Sequence, residues 1–135
     1  MLTTEQIAQY QRDGYALFPW FLGSGEVEEL RSDIESICAG NTLAKHDKSR
    51  LEMEPNQPPE GATVRRLYEP CTYYPRFRAL SDSEQLLRCV EQLLGSNLLY
   101  HYSKINMKPP AIGSVVEWHQ DLAYDPLTNH ASLAI

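Results

Sequence analysis

The sequence is poor in positive charge and has no long apolar segment. Twelve Lys and Arg residues stand against eighteen Asp and Glu residues, so the formal net charge is −6. Nucleic-acid binding needs clustered basic residues, and we therefore expect no nucleic-acid partner. No apolar run approaches the roughly 20 residues of a membrane-spanning helix, so we expect no membrane association either.

Cysteines are also scarce: Cys38, Cys71 and Cys89 are odd in number and widely spaced. This spacing fits neither a zinc site nor a disulfide framework. The amino terminus lacks the basic and apolar regions of a signal peptide, so we expect reduced thiols in a cytoplasmic protein. With 42% hydrophobic and 22% charged residues, the composition is that of a globular domain.

Hydrophobic periodicity predicts three amphipathic helices. Thr3 with Gln6 forms a capping box before the first helix, and Ser81 with Glu84 forms another before the third. The predicted helices cover about residues 4–13, 25–38 and 82–94.

Alternating side chains predict one long strand over 98–108, with Lys104 and Asn106 on the same face. The proline-rich segment 41–63 predicts a loop, in which His46 is either a solvated histidine or a metal ligand. Shorter strands are predicted at 15–21, at 64–69 and from about Ala131 onward.

The segment Trp118-His119-Gln120-Asp121 carries the clearest chemical signal. On extended backbone, side chains two residues apart lean to the same side, so His119 and Asp121 would present an imidazole and a carboxylate together. Such a pair suits the 2-His-1-carboxylate triad of non-haem iron oxygenases. The alternative is a hydrogen-bonded structural pair.

Several blocks of the sequence resemble the phytanoyl-CoA dioxygenase family. They are Leu2-Thr3-Thr4-Glu5-Gln6-Ile7, Asp13-Gly14-Tyr15, Phe21-Leu22, Lys104-Ile105-Asn106-Met107-Lys108-Pro109-Pro110 and Trp118-His119-Gln120-Asp121-Leu122-Ala123-Tyr124. The resemblance implies an α+β, mainly β fold: a partial double-stranded β-helix, the cupin-like jelly roll, with flanking N-terminal helices. It also implies Fe(II), 2-oxoglutarate and O2 as reactants, and a small-molecule substrate.

The resemblance implies roles for five residues. His119 and Asp121 match the first two iron ligands, and Asn106 matches a 2-oxoglutarate contact of ectoine hydroxylases. Lys104 and Arg66 are further candidates for the cosubstrate. Each of these three has a structural alternative: Asn106 as a hydrogen-bond partner of a neighbouring strand, Lys104 as a surface lysine and Arg66 as a surface ion-pair partner. We expect His119 and Asp121 to point into the same cavity as Asn106 and Lys104.

Two tyrosines, Tyr102 and Tyr124, are candidates for substrate binding. The alternative places both rings in the core or in the pocket wall.

The sequence departs from the family by stopping at Ile135. In relatives, a second half supplies another iron-binding histidine and an arginine for 2-oxoglutarate, and His130 follows Asp121 too soon to replace that histidine. We therefore expect residues 1–135 to be the N-terminal portion of a single domain. It would be a fragment of a 2-oxoglutarate-dependent hydroxylase or, alternatively, an inactive remnant that binds a partner or has no independent function. Unpaired sheet edges would favour self-association.

Overall fold

A computed structural model describes residues 1–124 and 131–135. The chain divides into two compact units. The first comprises Met1–Pro19, Asp82–Tyr100 and Val116–Ile135, and the second comprises Trp20–Ser81 and His101–Val115. Among the described residues, none of the helices combines the length and apolarity that a bilayer crossing demands.

The first unit contains helix α1 (Thr4–Asp13) and helix α5 (Glu84–Leu94). The predicted capping box at α1 is confirmed: the Thr3 hydroxyl accepts from the Gln6 amide at 3.2 Å, and the Gln6 side chain accepts from the Thr3 amide at 2.9 Å. α1 ends at Gly14, whose φ of 79° a residue without a β-carbon adopts readily. The start and end of α1 therefore follow from its own sequence.

The start of α5 differs from the prediction. Ser83 caps the helix, and its hydroxyl accepts from the Leu86 amide at 3.4 Å. The predicted capping box of Ser81 with Glu84 is wrong because Ser81 is still the last residue of the preceding helix. Its hydroxyl donates to the Arg78 carbonyl at 2.9 Å.

The second unit holds the sheet. Its three strands are antiparallel in the order β1-β2-β3. They are β1 (Leu51–Met53), β2 (Val64–Tyr68) and β3 (Lys104–Asn106), and the helices of this unit are α2 (Ser24–Cys38), α3 (Pro70–Tyr73) and α4 (Pro75–Ser81). Helices combined with an antiparallel sheet agree with the predicted α+β class.

The core of the second unit lies on one face of this sheet. Leu67 is fully buried at its centre. Ile37 and Cys38, at the end of α2, pack against the cluster, and this burial raises the pKa of the Cys38 thiol. The buried members of the cluster are Leu51, Met53, Val64 and Leu67.

A buried carboxylate follows β1. Glu54 is only 1% exposed. Its side chain accepts from the Ser114 hydroxyl at 2.6 Å and from the Ser114 amide at 3.2 Å. A buried charge must be hydrogen-bonded to be tolerated, so this contact joins the segment after β3 to the sheet.

Two predicted strands differ from the structure. Residues 15–21 form no strand, because Trp20 has a φ of 61° and turns the chain. Of 98–108, only Lys104–Asn106 pairs as a strand. Just before this strand, the Ser103 carbonyl accepts from the Glu69 amide and the Ser103 hydroxyl accepts from the Cys71 amide. Ser103 therefore caps the start of α3.

The strand predicted at 64–69 is confirmed as β2, whereas residues 131–135 are irregular rather than a strand. His130 lies outside the described residues. β1 lies inside the segment 41–63 that was predicted as a loop, so this strand was not predicted. The short helices α3 and α4, which follow β2, were not predicted either. Both of these helices begin with proline, which is favoured at the first helical position. These prolines were the sequence feature from which the two helices could have been predicted.

Candidate metal and cosubstrate site

His119 and Asp121 lie side by side in the first unit. Gln120 between them is extended, with φ −102° and ψ 126°, and Asp121 begins a short 3-10 turn (Asp121–Ala123). His119 Nε2 is 3.2 Å from Asp121 Oδ1. The two side chains are therefore on one side of the chain, as the His-x-Asp spacing led us to expect.

Two neighbours orient the His119 ring. Nδ1 lies 2.7 Å from the Glu117 carbonyl oxygen. Because a carbonyl only accepts, Nδ1 carries the hydrogen, and Nε2 is left to face Asp121. The Tyr124 ring meets the imidazole edge-to-face, with centroids 5.3 Å apart. A carbonyl on the far nitrogen is also the usual way in which proteins orient a metal-binding histidine.

The His119–Asp121 pair fits a cation. A neutral imidazole with hydrogen on Nδ1 turns a lone pair toward a carboxylate oxygen, and the two repel unless a proton or a metal ion lies between them. His119 Nε2 and Asp121 Oδ1 are 3.2 Å apart, so one metal ion or one proton could be shared between them. The protonated pair is the structural alternative.

The pair is open to solvent, since the side chains of His119 and Asp121 are 35% and 66% exposed. Within 1–124 and 131–135, no three or more His, Cys, Asp or Glu side chains are grouped as a metal site. His119 and Asp121 therefore offer two ligands of a triad, and their role as iron ligands stays a prediction.

In the second unit, the sheet brings two of the cosubstrate candidates together. Arg66 on β2 and Asn106 on β3 are register partners. Arg66 Nε donates to Asn106 Oδ1 at 2.8 Å. Arg66 also forms an ion pair with Glu52 at 3.0 Å. Both structural alternatives are thus realised as contacts, and neither contact excludes a carboxylate ligand on the remaining N–H groups.

Glu52 on β1 is the centre of this polar group, and the sequence analysis missed it. Its carboxylate accepts from Arg65 at 2.9 Å, from Arg66 at 3.0 Å and from the Tyr68 hydroxyl at 2.5 Å. Burial raises the pKa of Glu52, but the Tyr68 hydrogen bond and the two guanidiniums outweigh it, and the net shift is downward. No local signal pointed to Glu52, because β1 was not predicted and Arg65 lies 13 residues further along the chain.

The remaining candidates have aromatic contacts. Lys104 Nζ lies over the Tyr102 ring, 5.3 Å from its centroid, which is a cation–π distance. Tyr124 lies against His119, the predicted iron ligand. Substrate contact for Tyr102 and Tyr124 stays a prediction, as does one cavity shared by His119, Asp121 and the cosubstrate residues.

Comparison with known proteins identifies the family and relatives of this chain. The profile of the family described as phytanoyl-CoA dioxygenase (PhyH) matches residues 10–135. The probable alpha-ketoglutarate-dependent hypophosphite dioxygenase of Stutzerimonas stutzeri is 32% identical over 131 residues, which are 97% of this chain and 46% of that protein. The ectoine dioxygenase of Halomonas elongata is 29% identical over 120 residues, 89% of this chain and 34% of that protein.

A solved structure is also similar. The crystal structure of EctD from S. alaskensis, with bound Fe, superposes with a TM-score of 0.75 at 26% identity and covers 90% of this chain and 41% of that chain. These relatives are dioxygenases. The chain belongs to the phytanoyl-CoA dioxygenase family, and the family resemblance seen in the sequence blocks is confirmed. This chain spans 46% of the length of the hypophosphite dioxygenase and 34% of the length of the ectoine dioxygenase.

Proposed function

We propose that this chain forms the amino-terminal part of an Fe(II)- and 2-oxoglutarate-dependent dioxygenase domain that hydroxylates a small organic substrate with O2. The observation that carries the proposal is the His119–Asp121 pair, with Nε2 and Oδ1 3.2 Å apart and Nδ1 held by a backbone carbonyl. Family membership and the likeness to an iron-bound relative support it.

In this proposal, His119 Nε2 and Asp121 Oδ1 hold the iron. When bound, the iron supplies the O2 chemistry of the reaction, with 2-oxoglutarate as the cosubstrate that is oxidised. The third ligand would come from the part of the domain that the relatives have and this chain does not span. The Glu117 carbonyl keeps the imidazole oriented, and Asp121 supplies the negative charge that a divalent cation favours.

Arg66 and Asn106 would bind the cosubstrate, with Lys104 as a third donor. Guanidinium and amide N–H groups suit a carboxylate, and Arg binds carboxylates in a fork geometry. Tyr102 and Tyr124 would line the substrate side. The three strands would then be part of a double-stranded β-helix, which the TM-score of 0.75 to EctD supports.

Self-association belongs to the proposal as well. Within the part of the chain that the structure describes, β1 and β3 are the outer strands of the sheet, and outer strands can pair with another chain. Analytical ultracentrifugation across a concentration series tests this, and a monomer throughout would contradict it.

Metal binding tests the assignment of His119 and Asp121 as iron ligands. Co(II), added as a probe to the metal-free chain, should give a visible absorption change with saturable binding. His119→Ala and Asp121→Asn should each weaken binding by more than about tenfold, as loss of a ligand must exceed the usual loss from an outer-shell partner. His46→Ala is the matched control, since the His46 ring lies against the Thr42 carbonyl in its own loop. Binding unchanged in the His119 and Asp121 variants would contradict the assignment.

A further inference from the structure

A continuous line of hydrogen bonds crosses all three strands of the sheet. It runs from Glu52 on β1 to Arg66 on β2, at 3.0 Å, and on to Asn106 on β3, at 2.8 Å. The Tyr68 hydroxyl joins the first step, because it donates to Glu52 at 2.5 Å and accepts from Arg66 at 3.3 Å. The Arg66 guanidinium is thus held on two sides.

This arrangement determines which N–H groups remain to donate. Asn106 accepts through Oδ1, so its amide nitrogen Nδ2 is not used in the contact with Arg66. Arg66 uses Nε toward Asn106 and Nη1 toward Glu52 and Tyr68. Within residues 1–124 and 131–135, Arg66 Nη2 and Asn106 Nδ2 have no hydrogen-bond partner. Two donors on neighbouring strands are therefore left for a ligand.

The charge of the group suits an anion. Two guanidiniums, those of Arg65 and Arg66, share the one carboxylate of Glu52. One positive charge is left over, and a ligand carboxylate could pair with it. The side chains are only partly exposed, Arg66 at 27% and Glu52 at 30%. Water therefore screens this ion pair less than it screens a fully exposed one.

We propose that Glu52 is a positioning residue for 2-oxoglutarate: it holds Arg66 so that Arg66 Nη2 and Asn106 Nδ2 together face a carboxylate of the cosubstrate. The proposal rests on the proposed function, since it takes Arg66 and Asn106 as the cosubstrate contacts. Glu52 itself does not touch the ligand. Tyr68 supports Glu52 through its hydroxyl.

Positioning and simple charge attraction predict opposite effects when Glu52 is neutralised. Glu52→Gln makes the site more positive by one charge, and charge attraction alone would tighten the binding of a dianion. If Glu52 positions Arg66, the same change releases the guanidinium and weakens binding, because Arg66 must then be ordered by the ligand. The sign of the change decides between them.

The experiment titrates 2-oxoglutarate into the 135-residue chain and into three variants by ligand-observed NMR and calorimetry. Arg66→Gln removes the proposed contact, Glu52→Gln removes its support, and Glu60→Gln is the control with the same charge change on an exposed loop residue. We expect Glu52→Gln to weaken binding about tenfold, the lower end of the loss that outer-shell partners cause in metal sites. Glu60→Gln should leave binding unchanged.

A second measurement needs no ligand. The Arg66 Nε–H proton of the ligand-free chain should exchange slowly with water, and it should exchange faster in Glu52→Gln. The melting temperature of the control Glu60→Gln should equal that of the parent. Unchanged or tighter binding in Glu52→Gln, with binding lost in Arg66→Gln, overturns the positioning role and leaves the proposed function standing. A parent chain that binds no 2-oxoglutarate overturns the positioning role, whereas the proposed function is decided separately by Co(II) binding at His119 and Asp121.

Discussion

Arg66 and Asn106 are 40 residues apart in sequence, yet Arg66 Nε donates to Asn106 Oδ1 at 2.8 Å. They meet because β2 and β3 pair antiparallel with these two residues opposite each other. A slip of one residue in that register would turn each side chain to the other face of the sheet. The candidate cosubstrate site therefore depends on strand pairing rather than on any local motif.

The 135-residue chain alone should not turn over 2-oxoglutarate. His119 and Asp121 offer two ligands where the facial triad has three, and positioning of reactants can contribute about 7–11 kcal/mol to lowering a barrier. Succinate release with Fe(II), ascorbate and 2-oxoglutarate measures this, with His119→Ala as the control. Turnover by the parent chain that disappears in the control would show the prediction to be wrong.

Acid should destabilise the chain through Glu52. Burial opposes its charge, but Tyr68, Arg66 and Arg65 lower its pKa below the ordinary 4.5. The folded state thus binds this proton more weakly than the unfolded state, so the stabilisation is complete above pH 4.5 and disappears as pH falls through the folded pKa. Urea unfolding at a series of pH values should show a steeper acid loss in the parent than in Glu52→Gln. Parallel curves would contradict this.

Leu67→Ala should destabilise the second unit strongly. Leu67 is 0% exposed at the centre of the sheet core, and removal of its side chain leaves a cavity among Leu51, Met53 and Val64. The expected loss in free energy of unfolding is about 2–5 kcal/mol by denaturant titration. Leu99→Ala is the control, because Leu99 is 90% exposed and should change stability little. Equal effects of the two changes would place the core elsewhere.

Ser114→Ala should also be destabilising, through Glu54. The Ser114 hydroxyl donates to the buried carboxylate at 2.6 Å, and alanine leaves Glu54 with one donor fewer. A hydrogen bond to a charged group contributes about 1.5–3 kcal/mol, so a loss of that order is expected in urea unfolding. Ser32→Ala, at an exposed position of α2, is the matched control and should be neutral. A neutral Ser114→Ala would show that the contact does not stabilise the fold.

Thr3→Ala should weaken the start of α1. The Thr3 hydroxyl accepts from the Gln6 amide at 3.2 Å, and alanine leaves that amide without its partner. Loss of such a cap costs about 1 kcal/mol, which thermal or urea unfolding can resolve. Thr3→Ser is the conservative control, since serine caps as well as threonine does, and a loss of similar size there would contradict the capping argument.

Local signals predicted α1 (Thr4–Asp13) and α2 (Ser24–Cys38) to within one residue at each end, and the start of α5 (Glu84–Leu94) less closely. Thr3, Gln6 and Gly14 act within one turn of the helix end that they define, so the sequence predicts those ends from nearby residues. Ser81 carries a similar signal, but it was already part of α4, and Ser83 became the cap instead. A cap can be recognised locally only where no neighbouring helix competes for the same residue.

The sequence alone determined the family, the helix periodicity and the side-by-side placement of His119 and Asp121, because each depends on residues only a few positions apart or on blocks in order along the chain. Tertiary structure alone decided that 98–108 forms a strand only over Lys104–Asn106 and that Glu52 joins Arg66. Strand pairing couples segments that are far apart in sequence, and a backbone group pairs with whichever partner the fold brings near. At Ser103 that partner was the start of α3 rather than a strand.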